Sequence, residues 1–120
     1  MNINITDSAL SPVQVEHGWS HSVPTITVYQ VPAGYRLVIE HVSAMATQDF
    51  SGASLYTLVS GVGANHDLSV QPQASADSPG LVSELTRLYA DPGTAVSFLG
   101  RTTDGNTGRI VISGHLVPIR

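Results

Sequence analysis

The chain contains no cysteine and no lysine. Without cysteine it can form neither a disulfide framework nor a thiolate metal site, so its stability has to come from packing. Without lysine, Schiff-base chemistry and the phosphate-gripping lysine of a P-loop are excluded. Charge of either sign is scarce, at 12% of residues, and the formal net charge is −4. The five basic residues, Arg36, Arg87, Arg101, Arg109 and Arg120, are scattered along the chain. The basic patch expected of a phosphate-backbone binder is therefore missing, and nucleic acid is not an expected partner. No run approaches the roughly 18 consecutive apolar residues of a spanning helix, so membrane insertion is not expected. Residues Met1 to Asp7 carry no basic segment followed by an apolar one, so no secretory signal is expected within the chain. The compartment stays unknown from the sequence, with a secreted or virion-associated setting favoured over others. The Gly-x-Ser-x-Gly elbow of a serine hydrolase is absent. Gly61-Val62-Gly63 lacks the third glycine and following helix of a dinucleotide site.

What the chain does have is 120 residues, 42% of them apolar, which is enough to bury a core as one domain. We read residues 1–120 as a single domain, with residues 1–12 as an N-terminal arm whose Ile3 and Ile5 alternate as in a strand. Turn signals recur along it: Ser11-Pro12, Val31-Pro32-Ala33-Gly34, Ser51-Gly52, Gly61-Val62-Gly63, Ser78-Pro79-Gly80, Asp91-Pro92-Gly93 and Asp104-Gly105-Asn106. Proline presets φ at the second turn position and glycine supplies positive φ at the third. Between these turns, β-branched and aromatic residues fill Thr25 to Val31, Arg36 to Thr47, Ser54 to Ser60, Asp67 to Gln71, Thr94 to Arg101 and Arg109 to Val117. In the last run Ile110, Ile112 and Leu116 should face the core, with Val111, Ser113, His115 and Val117 on the other side.

Leu81 to Ala90 is ambiguous, because Leu81, Val82, Leu85, Leu88 and Tyr89 also fit helical spacing, with Ser78 as cap and Pro79 at the first turn. We read it as a strand leading into the Asp91-Pro92-Gly93 reversal. The sum is an all-β, antiparallel, jelly-roll-like β-sandwich of seven or eight strands. Gln71 to Gly80, polar and rich in small residues, is the most loop-like stretch and a candidate binding loop.

Val31-Pro-Ala-Gly-Tyr-Arg-Leu-Val-Ile-Glu-His-Val-Ser43, Arg87-Leu-Tyr-Ala-Asp-Pro-Gly-Thr94 and Ile112-Ser-Gly-His-Leu116 together resemble the small jelly-roll proteins of bacteria and their phages. The resemblance covers the chain from Val31 onward and rests on turn and strand signatures. It implies a fold whose better-known members are lectin, capsid or receptor-binding modules that often form trimers. It assigns no functional residue to this chain.

Residues able to carry chemistry are few. The five histidines are His17, His21, His41, His66 and His115. His17 and His21 have the spacing that pairs two imidazoles on a helix, but Gly18 and Val23-Pro24 argue against a helix there. On a strand, residues four apart sit about 13 Å from one another and cannot share an ion. A cupin-like enzyme would need a His-x-His pair, which is absent. Glu40, His41 and His115 would form a substitute only if their strands were adjacent and pointed inward. No metal or cofactor is expected.

For sugar recognition, Trp19, flanked by His17 and His21, could stack on a pyranose. In the plainer reading its indole plugs one end of the sandwich. Asp104 and Asn106 offer oxygen ligands in a loop that otherwise reads as a hairpin turn. Trp19, His17, His21, Asp104 and Asn106 are thus the candidate ligand-binding residues.

The expected function is that of a non-enzymatic binding or assembly module. Low charge and high apolar content leave little polar cover for a small domain, and a homo-oligomer, a trimer by resemblance, would bury the spare apolar face of strands such as Arg36 to Met45. A carbohydrate-binding, lectin-like module is the alternative, and a metal-dependent cupin-like enzyme the third. The expected partners are further copies of the chain, or else a glycan or a protein.

Overall fold

A computed structural model describes residues 11–75 and 77–119. They form eight strands and no helix: β1 (Ser11–Ser20), β2 (Thr25–Gln30), β3 (Tyr35–Ala46), β4 (Gly52–Val59), β5 (Val62–Leu68), β6 (Gly80–Ala90), β7 (Ala95–Arg101) and β8 (Thr107–Pro118). Sheet A has the order β1-β8-β3-β6 and sheet B the order β2-β7-β4-β5. The first strand pairs with the last, β2 with β7, β3 with β6 and β4 with β5, every pair antiparallel. The chain is therefore one long folded ribbon, doubled back at Ser60-Gly61 and wrapped so that alternate pairs fall in opposite sheets. This is the jelly-roll winding that the spacing of turns implies.

Leu81 to Ala90 is a strand. Val82 and Ala90 are buried while Leu81, Leu85 and Tyr89 are exposed, so residues that fit one helical stripe are divided between the two faces of a sheet. The turn at Ser60-Gly61 has positive φ at both residues, 53° and 77°, the backbone of a two-residue type I′ hairpin. That turn starts β5 at Val62, earlier than the Asp67 to Gln71 strand expected from sequence. β1 was not expected at all. Pro12 and Gly18 obscure its pattern, yet β1 is an edge strand, where a missing N–H is tolerated. Ser11 and Pro12 of the expected arm open β1, and residues 1–10 lie outside the described residues.

The core fills the space between the sheets. Leu37, Ile39, Val42, Ile110, Ile112 and Val82 of sheet A meet Val28, Leu55, Val96 and Phe98 of sheet B. Ile110 and Ile112 point inward as the alternation of β8 predicts. In β3 the pairing shifts register between Ile39 and His41. This bulge at Glu40 lets Leu37 and Ile39, then Val42, Ala44 and Ala46, all face the core. It also explains the apolar start of β3: Val38 faces the outside of sheet A and is covered by its neighbours, at 8% exposure.

Candidate functional site

The residues singled out from sequence gather at one end of the sandwich. Trp19 is 3% exposed, packed between Phe50 and Phe98 at ring-centroid distances of 5.4 and 5.6 Å. Its indole presents no free face to a ligand, and it plugs the sandwich end. Gly100 and Gly108 make the socket, since a Cβ at either would run into the indole. His21 Nδ1 lies 2.8 Å from the Thr102 carbonyl, and the His21 backbone N–H donates to the Asn106 carbonyl at 3.1 Å. Asn106 accepts from Thr47 Oγ1 at 3.0 Å and donates to Thr103 Oγ1 at 2.8 Å. His21 and Asn106 thus lock loops together. Asp104 is exposed in the turn before Gly105, and His17 is exposed on β1.

The other histidines have neighbours on separate parts of the molecule. His66 Nε2 is 3.4 Å from Glu84 Oε1, and Glu84 also accepts the Ser69 N–H, which ties the end of β5 to β6 across the open side of the sandwich. His41 Nε2 lies 3.3 Å from Ser83 Oγ. His115 Nδ1 and Glu40 Oε1 are 3.0 Å apart, so β3 and β8 are indeed adjacent. The pair faces outward from sheet A, however, and not into a cupin-like interior. Among the described residues no three His, Cys, Asp or Glu side chains come together as a metal site would need.

The outer face of each sheet carries a depression. On the outer face of sheet A, the edge strand β6 carries Leu85 at 88% exposure, flanked by Leu81 and Tyr89. Beside this row lies a depression of about 320 Å³, lined by Ser43, Met45, Leu81, Ser83, Arg109 and Val111. Its walls are mostly aliphatic, and Arg109 at its rim is paired with Glu16.

On the outer face of sheet B there is a larger depression, about 390 Å³. The strand register sets out its floor in two rows. Thr25, Leu99, Ser54 and Asp67 lie side by side across β2, β7, β4 and β5, and Ser97, Tyr56 and Asn65 form the next row across β7, β4 and β5. Arg101, opposite Gly52, closes one end. The floor is hollow where Ser97 of β7 and Ser54 of β4, both short, stand between the larger Leu99 and Tyr56. Tyr56 leans along the sheet over Gly63, where its Cζ would lie 2.7 Å from a Cβ. With 39% of its surface exposed, the ring forms a low wall. The sequence signal for this surface was the polar alternation of Ser54-x-Tyr56 and Asn65-x-Asp67. It was missed because Gly61-Val62-Gly63 reads as a turn and hides the start of β5.

The Asp91 carboxyl is held below its ordinary range. The Gly61 N–H donates to its Oδ2 at 2.9 Å, the Ser60 backbone adds to this, and Arg36 lies 3.9 Å from Oδ1. Asp91 also donates its own N–H to the Leu58 carbonyl at 2.8 Å, so the β6–β7 turn is pinned to the tip of the β4–β5 hairpin.

No family model matches the chain, and no curated protein sequence matches it. Among solved structures it is similar to the NLP-core of Drosophila, described for pentamer formation and histone binding, with TM-score 0.50, 17% identity, and coverage of 87% of this chain and 97% of that one. It is also similar to a Bacillus endospore appendage, one of a family of disulfide-linked pili, with TM-score 0.42 and 12% identity over 92% of this chain and 90% of that one. A third is the virus-like particle of the extra small virus of the giant freshwater prawn Macrobrachium rosenbergii, with TM-score 0.38 and 12% identity over 92% and 82%. Likeness at such identities is likeness of fold.

Proposed function

We propose that the chain is a non-enzymatic assembly module, a homo-oligomer whose copies meet on the outer face of sheet A. The observation that carries this reading is Leu85, 88% exposed at the centre of an edge strand. The backbone edge of β6 is guarded by the inward Glu84 and by the Gln71 N–H bonded to the Leu81 carbonyl, but on its outer face the only charge is Arg87, which leaves Leu85 uncovered. Burying a leucine side chain contributes roughly 1.5–3 kcal/mol. The aliphatic depression between Met45 and Val111 gives such a side chain a place to go. Knob and hollow lie on the same face of the same chain, which is the arrangement self-association needs. The fold resemblance favours three copies.

What supports a non-catalytic role is that, among the described residues, the histidines beside a carboxylate, His66 and His115, have no serine or threonine hydroxyl hydrogen-bonded to them. His41 and Ser83 are neighbours, but among the described residues no carboxylate is hydrogen-bonded to His41 to orient it as a base.

Light scattering coupled to size exclusion tests the proposal. The wild type should run as an oligomer, with three chains expected, and Leu85→Arg should run as a monomer with an unchanged far-UV spectrum. A monomeric wild type, or an oligomer indifferent to Leu85→Arg, overturns it.

A further inference from the structure

We propose that the depression on the outer face of sheet B binds a neutral pyranose-bearing saccharide. The site is independent of the assembly face, since it lies on the other sheet.

Three observations point to this class of ligand. Tyr56 is not upright. It lies over Gly63, filling space that any side chain at that position would occupy, and it keeps part of its ring exposed to solvent. An aromatic face held at the edge of a hollow suits the apolar C–H face of a pyranose ring. Next to it the floor mixes acceptors and donors: the Asp67 carboxylate, the Asn65 amide, the Ser54 and Ser97 hydroxyls and the Arg101 guanidinium all line the same hollow. Adjacent sugar hydroxyls donate and accept at once, so they are matched by a carboxylate beside amide and guanidinium donors. None of these five side chains is hydrogen-bonded to another part of the protein among the described residues, so their capacity is free for a ligand. Finally, Asp67 and Arg101 give the hollow one charge of each sign. A phosphate or carboxylate ligand attracted by Arg101 would be opposed by Asp67, which favours a neutral ligand.

Gly63 takes its place in the site through Tyr56. A methyl group there would displace the far end of a flexible side chain and leave the backbone alone. Gly63→Ala should therefore fold normally while tipping the ring out of its place.

The experiment is binding of the full chain to a printed array of defined neutral and acidic oligosaccharides, followed by calorimetric titration of the strongest neutral binder. Tyr56→Ala and Asp67→Asn should each weaken binding about tenfold or more, the loss expected from removing a stacked ring or a charged acceptor. Gly63→Ala should weaken it although Tyr56 is still present. Leu85→Arg should leave the solution affinity unchanged, which separates this site from the assembly reading. Fluorescence of the buried Trp19 confirms that each variant is folded. The proposal is overturned if the wild type captures no neutral glycan. It is equally overturned if binding survives both Tyr56→Ala and Asp67→Asn, or if only acidic glycans bind and Arg101→Gln alone abolishes that.

Discussion

The Trp19 socket makes a quantitative prediction. Gly108 lies opposite Trp19 on one side and Ala46 on the other, in the interior of sheet A. A methyl group there would collide with the Met45 carbonyl oxygen and come within 2.5 Å of Cε2 and Cζ2 of the indole. The indole is wedged against two phenylalanine rings, and a backbone oxygen cannot swing aside as a side chain can. Overpacking of this kind costs about 1–3 kcal/mol, and Gly108→Ala should reach the upper end. For a chain of this size that is a fall in Tm of roughly 10 °C. Gly18 is the control. It sits next to Trp19 in sequence, but a Cβ there meets only the Gly108 oxygen at 3.8 Å, so Gly18→Ala should be neutral or slightly stabilising. Thermal and urea unfolding can be followed through the single tryptophan, which reports on the socket itself. If Gly108→Ala melts within a degree or so of wild type, or Gly18→Ala loses as much, the close-packed socket is refuted.

Asp91 should contribute to the loss of stability in acid. Its carboxyl is lowered by the Gly61 and Ser60 N–H groups and by Arg36, so its contribution is present above the unfolded value of about 3.9. That contribution is lost as pH falls through the lower folded value. Asp91→Asn should flatten the dependence of Tm on pH below about 4, and an unchanged slope would refute this. Glu84→Ala should cost about 1 kcal/mol, because the Ser69 N–H loses its carboxylate acceptor at a site water can partly reach. Hydrogen exchange at the Ser69 amide should rise, and unchanged protection would show that the contact does not hold the end of β5.

The fold was legible where local pattern and burial agree. In β8 the alternation of Ile110 and Ile112 with Val111 and Ser113 is both sequence pattern and structure. In β6 it was only half legible, since exposed leucines on the outer face mimic a helical stripe. β1 was hidden by Pro12 and Gly18, whose tolerance follows from an edge position that no local reading supplies. The groove was hidden for a related reason. Ser54, Tyr56, Asn65, Asp67 and Ser97 come from three strands, and they become neighbours only when the Ser60-Gly61 turn sets β5 against β4 and β7 pairs along the other side of β4. Trp19 was conspicuous for its polar neighbours in sequence. Its environment in space comes instead from Phe50, Phe98 and two distant glycines.

The outer faces of sheets A and B point away from each other, and this has a consequence for valency. If copies join through sheet A as proposed, every sheet B turns outward, and the number of grooves on such a particle equals the number of chains in it. A single groove this shallow can hold its ligand weakly. Several grooves at fixed spacing raise the local concentration of each second contact and multiply avidity by about 10²–10⁴ where the spacing is matched. Such a particle would discriminate between surfaces by how densely they carry a sugar more than by which sugar they carry.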